Sequence, residues 1–229
     1  MKAKKFTTLY GVALALSLGF STTQAAVLTI NLNTEFSGGT PPAGAAPWLT
    51  ATFEDIALDT VRLTMSTSGL TGGEFVDGSG ANFGWGFNID PLLSASALNF
   101  TFVSGNDANL ISTGVDSFKA DGDGFFDILF SWDPAPSSRF AAGQTSVYNI
   151  TGIAGLDALD FNFNSVNGVP GNGNWTSAAH VQNIGPNGES GWIGGLGRRP
   201  EQEIPEPGIL LLLAAGLAGL GLSRRRSAV

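Results

Sequence analysis

The sequence contains no cysteine and only one histidine, and both shortages narrow the chemistry that this protein can perform. Without cysteine it has no disulfide bond, no thiol nucleophile and no cysteine metal site. The single histidine, His180, excludes a metal site built on two histidines, and no Gly-x-Ser-x-Gly nucleophile motif accompanies it. We therefore expect stability to come from a hydrophobic core, and a hydrolase is the least favoured functional class.

Basic side chains are scarce between the two ends of the chain. Residues 26–205 contain five basic and 18 acidic side chains, which gives this part a net charge of −13. Such a charge repels nucleic acids and anionic lipids, whereas it attracts cations. We expect no nucleic-acid partner. A glycosidase-like pair of carboxylates cannot be assigned, because no pair stands out among so many acids.

The first 25 residues have the parts of a secretory signal peptide. Three lysines precede an apolar stretch at residues 9–20, and the small residues Thr23 and Ala25 occupy positions −3 and −1 for cleavage after Ala25. An uncleaved N-terminal anchor is the alternative interpretation. We expect the secretion translocon to be a partner of this chain and residues 1–25 to be removed on export.

The tail at residues 205–229 has the composition of a membrane anchor. Its apolar run at 208–222 would form a helix of roughly 22 Å, short for a hydrocarbon core of about 30 Å, so we extend the predicted transmembrane segment to 208–223. A buried core helix is the alternative, but a terminal run that ends in arginines cannot bury all its faces. The flanking residues are Pro205, Glu206 and Pro207 before the run and Arg224, Arg225 and Arg226 after it.

Taken together, these tail residues resemble the PEP-CTERM sorting domain of Gram-negative bacteria. In that family the tail is a transient anchor in the inner membrane, and an exosortase recognises it and removes the helix at or near the Pro-Glu-Pro triplet. The resemblance implies an exported protein that ends on the cell surface or in the extracellular matrix, in association with exopolysaccharide and biofilm. Residues 120–195 also resemble a common type of PEP-CTERM cargo, on segments such as 123–128 and 190–194, but that cargo type implies no activity.

Short stretches of alternating apolar and polar residues fill the region between the two ends. Helix-forming residues are scarce there, and turn-forming residues are frequent. We predict an all-β antiparallel β-sandwich, jelly-roll-like, over residues 26–195, followed by a linker at 196–204. The predicted strands lie near 27–32, 49–53, 61–65, 83–89, 98–102, 126–132, 147–151, 159–163, 178–184 and 192–193.

The densest acidic cluster consists of Asp121, Asp123 and Asp127. Carboxylates that alternate with glycines can surround Ca²⁺, which takes about 6–8 oxygen ligands. The segment is not an EF-hand loop, because Trp132 stands where that loop has its glutamate. An Asp-Gly turn that leads into a strand explains the same residues. Calcium binding and a simple turn therefore remain alternative interpretations.

Five tryptophans are present, and an exposed indole ring can stack on a sugar. Trp175 follows a loop of glycine and asparagine and is the best candidate for such contact, whereas Trp85 and Trp132 alternate with core positions and are expected to be buried.

Three functional classes follow from the sequence as a whole, in order of preference. They are a non-enzymatic surface or matrix protein, a carbohydrate-binding β-sandwich with or without Ca²⁺, and a hydrolase.

Overall fold

The computed structural model describes residues 25–121, 123–166 and 174–198. In these residues all the regular elements except two 3₁₀ turns are β-strands, and the strands pair in antiparallel fashion, so the predicted all-β class is confirmed. The strands are β1 (Val27–Leu32), β2 (Thr34–Glu35), β3 (Leu49–Ala57), β4 (Thr60–Ser66), β5 (Phe75–Val76), β6 (Trp85–Phe87), β7 (Asn99–Gly105), β8 (Leu110–Lys119), β9 (Phe125–Ser131), β10 (Phe140–Ala141), β11 (Thr145–Thr151), β12 (Ser177–Ile184), β13 (Glu189–Gly195) and β14 (Gly197–Arg198). The 3₁₀ turns are Ala95–Ala97 and Ala158–Phe161.

The first sheet has the strand order β14-β1-β3-β4-β11-β7. Its inner strands alternate as the sequence predicts, because successive side chains of a strand point to opposite faces. In β1, Leu28, Ile30 and Leu32 are fully buried, and the residues between them are half-buried. This sheet thus turns one face to the core and the other towards solvent.

The second sheet differs because its central strands are buried on both faces. Its order is β10-β5-β12-β6-β9-β8, with β13 paired to β12 and β2 paired to β13. The residues of β9 after Phe125 are all buried, and so are the first five residues of β12. Their side chains enter two separate apolar clusters, the main core between the sheets and a smaller cluster on the outer face.

Aromatic rings join the two sheets in the main core. The Phe53 ring from the first sheet meets the Phe87 ring from the second edge to face, with the centroids 5.4 Å apart. The Phe130 ring of the second sheet contacts the rings of Phe100 and Tyr148 from the first, at centroid distances of 5.4 and 5.2 Å. Such pairs add to the stabilisation from burial of the rings.

One predicted strand is wrong. Residues 159–163 were expected to be extended, but the chain forms a 3₁₀ turn at Ala158–Phe161. The Asp157 carboxylate accepts a hydrogen bond from the Leu159 amide, and the Asp160 carboxylate accepts one from the Asp157 amide. This reciprocal capping favours a helical turn over an extended chain.

The structure also adds one strand to the prediction and moves one boundary. The prediction omitted β8, because most of its side chains are at least partly exposed and show no clear alternation. Gly197 and Arg198, which the sequence analysis placed in the linker at 196–204, pair with Ile30 and Thr29 of β1. The folded domain therefore extends at least to Arg198.

In the part of the chain that the structure describes, no helix is long and apolar enough to cross a membrane. The predicted transmembrane segment at 208–223 lies outside those residues, as do the signal peptide up to residue 24, Pro205–Pro207 and Arg224–Arg226. The structure therefore does not test these assignments, which stay predictions from the sequence.

Replacement of Phe130 by alanine should lower the free energy of unfolding by about 3–5 kcal/mol, because the fully buried ring bridges both sheets. Urea unfolding followed by tryptophan fluorescence measures the loss. The control is Leu92→Ala, at a side chain that is 90% exposed, which should change stability by less than about 0.5 kcal/mol. Equal effects of the two substitutions would contradict the described packing.

Candidate functional site

The outer face of the second sheet holds an apolar cluster that is separate from the main core. Along β12, Ala179 and Val181 point into the main core, and Ala178 and His180 point to the opposite face, as strand alternation requires. His180 lies directly opposite Trp192 in the β12–β13 pair. The fold thus places the single histidine on the outer face, where loops cover the sheet.

A cleft of about 520 Å³ opens on this outer face. Ligand sites for small molecules commonly have volumes of about 300–1,000 Å³. The walls come from the loop after β2, the loop before β6, the end of β8, and strands β12 and β13. The lining residues that carry a ring or a polar side chain include Asn82, Phe83, Lys119, Asp121, His180 and Trp192.

Three rings form the floor of the cleft. The Phe83 ring stacks on the His180 ring, with centroids 4.3 Å apart and planes inclined by 28°. The Trp192 ring lies 5.1 Å from the His180 ring. His180 and Trp192 are only 6% and 5% exposed, whereas Phe83 is half-buried. The Phe83 ring is therefore the most accessible of the three rings.

A buried aspartate stands behind the histidine. Asp77 Oδ2 lies 3.4 Å from His180 Nδ1, and the amide and hydroxyl of Ser79 donate to the same carboxylate at 3.0 and 2.9 Å. Burial opposes ionisation, but the contact with His180 and the bonds from Ser79 outweigh it and hold the pKa of Asp77 below its ordinary value. Asp77 is thus an anion beneath the cleft, and its carboxylate faces the buried Nδ1 of His180.

No serine hydroxyl among the described residues is hydrogen bonded to His180. Ser37 lines the cleft, but its hydroxyl donates to Glu35 Oε1 at 2.6 Å and accepts the Trp192 amide at 3.2 Å. These bonds hold the loop after β2 against β13. The His180–Asp77 pair consequently has no serine partner of the kind a catalytic triad requires.

The three aspartates considered for calcium lie in different surroundings. The Asp127 carboxylate accepts two backbone amides, and Asp123 is buried and accepts the Ser165 hydroxyl at 2.7 Å. Asp121 is exposed at the edge of the cleft. The described residues contain no group of three or more acidic or histidine side chains that could hold a metal ion. Calcium binding at these three aspartates therefore stays a prediction.

Trp175 is more enclosed than the sequence analysis predicted. Its ring stacks on the Phe36 ring, with centroids 5.7 Å apart, and it lies so close to Gly194 that a Cβ there would clash with it. The indole is therefore half-buried, and its contact with a sugar stays a prediction. Trp85 and Trp132 are fully buried, as predicted.

The sorting tail has a match among known families. The PEP-CTERM protein-sorting motif matches residues 203–226, which include the Pro-Glu-Pro triplet and the terminal arginines. The chain carries a PEP-CTERM sorting motif. The PEP-CTERM motif implies export and sorting to the cell envelope of a Gram-negative bacterium, with an exosortase as the processing partner.

The match covers the tail alone, and the domain ahead of it is a cargo without an assigned role. No curated protein and no solved structure matches the chain.

Sequence reasoning missed most of the cleft. One available signal was Lys119, the only lysine in residues 26–205, and the structure places it in the cleft wall.

The substitution Asp77→Asn should lower the free energy of unfolding at pH 7 by about 1–3 kcal/mol, because it removes the buried anion that faces His180. Since the folded-state pKa of Asp77 is lowered, its contribution is present above the ordinary pKa of 3.8 and is lost as the pH falls through the folded value. The difference from the wild type should therefore shrink below about pH 4.

Urea unfolding between about pH 3 and pH 7 checks this dependence. The control is Asp121→Asn, at an exposed carboxylate, which should have little effect at any pH. A difference that stays constant over the whole range would contradict the lowered pKa of Asp77.

Proposed function

We propose that this PEP-CTERM protein is an exported, non-enzymatic component of the cell surface or extracellular matrix, where it lies among the exopolysaccharides of a biofilm. The observation that carries the proposal is the sorting motif at residues 203–226, which follows a folded, acidic, all-β domain. A sorting tail directs the domain ahead of it, so the cargo acts outside the inner membrane.

The proposed route has three steps. The signal peptide takes the chain through the translocon, and the apolar run at 208–222 then stops in the inner membrane with Arg224–Arg226 on the cytoplasmic side. An exosortase finally cuts at or near Pro205–Pro207 and separates the cargo from its anchor. The net charge of −13 in residues 26–205 then disfavours binding of the cargo to anionic lipid.

The surroundings of His180 support a binding role over a catalytic one. Its ring packs against Phe83 and Trp192, and its Nδ1 faces the buried carboxylate of Asp77. The hydroxyl of Ser37 is already bonded to a glutamate. A histidine held in this way shapes the floor of a cleft, and no nucleophile in the described residues is hydrogen bonded to it.

Full-length protein in strains with and without the exosortase tests the proposal. With the enzyme, mass spectrometry should find a mature C-terminus at or near Pro205–Pro207, in the cell-surface or extracellular fraction. Without it, the chain should keep residues 208–222 and stay in the inner-membrane fraction, because the apolar run is its anchor.

A pair of glutamate substitutions supplies the control. Glu206→Ala, inside the triplet, should strongly reduce processing, and Glu201→Ala, which precedes the matched residues 203–226, should leave it unchanged. An extracellular polypeptide that still carries residues 208–226 would contradict the proposed route.

The cleft favours a second candidate function, which is saccharide binding. A sugar ring has an apolar face and hydroxyl groups around its edge, and the Phe83 ring with its polar neighbours complements both. Asn82, Lys119 and Asp121 supply donors and acceptors beside that floor. The proposed contact is therefore Phe83, which lines the cleft, whereas Trp175 does not.

The substitution Phe83→Ala should weaken glycan binding about tenfold, which corresponds to roughly 1.4 kcal/mol, because it removes the stacking surface. A glycan array identifies the ligand, and titration calorimetry measures its affinity. The control is Phe102→Ala, at a phenylalanine of the first sheet that is 39% exposed, which should bind as the wild type does. An array without any bound glycan, or an unchanged affinity of Phe83→Ala, would reject this candidate.

A further inference from the structure

The first residue after the predicted cleavage site is held by one aspartate. The Ala26 amide donates to Asp55 Oδ2 at 3.1 Å, and the Asp55 amide donates to the Ala26 carbonyl oxygen at 3.0 Å. Ala26 is half-buried and packs against the main core, whereas Ala25 is exposed. The packed domain therefore begins at the residue that cleavage after Ala25 would make the first.

Asp55 belongs to a group of carboxylates around the 3₁₀ turn at Ala158–Phe161. Its second oxygen, Oδ1, accepts an amide of that turn at 2.7 Å. Burial raises the pKa of Asp160 above its ordinary value, and the charges of Asp157, Asp90 and Asp55 raise it further. Over the described ranges, no lysine or arginine forms an ion pair with these carboxylates, so no side chain offsets their repulsion.

We propose that cleavage after Ala25 supplies a positive charge to this group of carboxylates. The cleavage turns the Ala26 amide into an α-ammonium group, which pairs with Asp55 and fastens β1 to β3. In this step water hydrolyses the amide bond between Ala25 and Ala26 under catalysis by a signal peptidase. Ala25 leaves as a carboxylate, and the nitrogen of Ala26 becomes the ammonium. The proposal rests on the export step of the proposed function.

The difference between the two forms of the chain is one of charge. Before cleavage, the nitrogen of Ala26 belongs to a neutral amide that donates one hydrogen bond to Asp55. After cleavage, the same nitrogen carries a positive charge, and hydrogen bonds between charged groups are stronger than those between neutral ones. Removal of the signal peptide should therefore stabilise the start of the first sheet.

The pH dependence of this stabilisation has a definite sign. An α-amino group in an unfolded chain has a pKa of about 7.7–8.0. Asp55 on β3 accepts the hydrogen bond of this nitrogen and belongs to one group of carboxylates with Asp157, Asp160 and Asp90, so the folded-state pKa of the amine should be higher. The stabilisation is then complete below about pH 7.7 and is lost as the pH rises through the folded-state pKa.

The scarcity of lysine makes a selective experiment possible. After cleavage at Ala25 the chain has two amines, the α-amino group of Ala26 and the side chain of Lys119. In a Lys119→Arg variant, acetic anhydride therefore acetylates only the amine of Ala26. Acetylation preserves the N–H donor and removes the charge, so the product reproduces the electrostatics of the uncleaved chain.

The full chain is exported and processed in a Gram-negative host, extracted in mild detergent and unfolded in urea, with tryptophan fluorescence as the readout. Terminal sequencing should find Ala26 first. At pH 7, acetylation should raise the equilibrium constant for unfolding about threefold to tenfold, and this effect should fade above about pH 9. In an Asp55→Asn variant acetylation should have no effect, whereas in the control Asp133→Asn, at an exposed aspartate, it should have its full effect.

Each contrary result has a different meaning. A chain that keeps residues 1–25 would overturn both this proposal and the export on which it rests. A first residue other than Ala26 in an exported chain would overturn the ion pair alone. An acetylation effect that is absent, or equal in the Asp55→Asn variant, would also overturn the ion pair and leave the proposed function standing.

Discussion

The aromatic contacts between the two sheets are the interaction on which the rest of this structure depends. The chain has no disulfide bond, and over the described residues no lysine or arginine side chain forms an ion pair with a carboxylate. Burial of apolar surface must therefore offset the loss of conformational entropy on folding. The contacts of Phe53 with Phe87 and of Phe130 with Tyr148 join the central strands of both sheets.

The candidate site follows from the two buried faces of the second sheet. A strand such as β12 has apolar side chains on both faces, so loops must cover the face that is turned away from the main core. Where these loops meet above His180 and Trp192, they leave the cleft. Loops that a rigid sheet holds in place commonly carry the binding residues of a protein, and here they supply its polar edge.

The two ends of the described domain are neighbours in the first sheet. β1 begins at Val27, directly after the residues where the signal peptide is expected to end, and β14 ends at Arg198, shortly before the sorting motif at 203–226. Because β1 and β14 pair, the two proposed processing events would act on chain ends that lead to adjacent strands. Neither strand lines the cleft, so the candidate binding surface belongs to a different part of the fold.

The sequence by itself determined the all-β class and the sorting of this protein. Alternation along strands such as β1 and the PEP-CTERM motif are both properties of contiguous residues, so no tertiary contact is needed to recognise them. It could not predict the turn at Ala158–Phe161, where reciprocal aspartate caps outweigh an alternating pattern, nor β8, whose exposed side chains carry no pattern.

Only the tertiary structure decided which of the candidate residues meet. Asp121, Asp123 and Asp127 are close in sequence, but Asp123 and Asp127 accept hydrogen bonds from different parts of the chain and Asp121 is exposed. Phe83 and His180 are far apart in sequence, and they stack because β12 brings them to one face of the second sheet. Such a site depends on the pairing of distant strands, and the sequence of one chain does not encode that pairing in any local pattern.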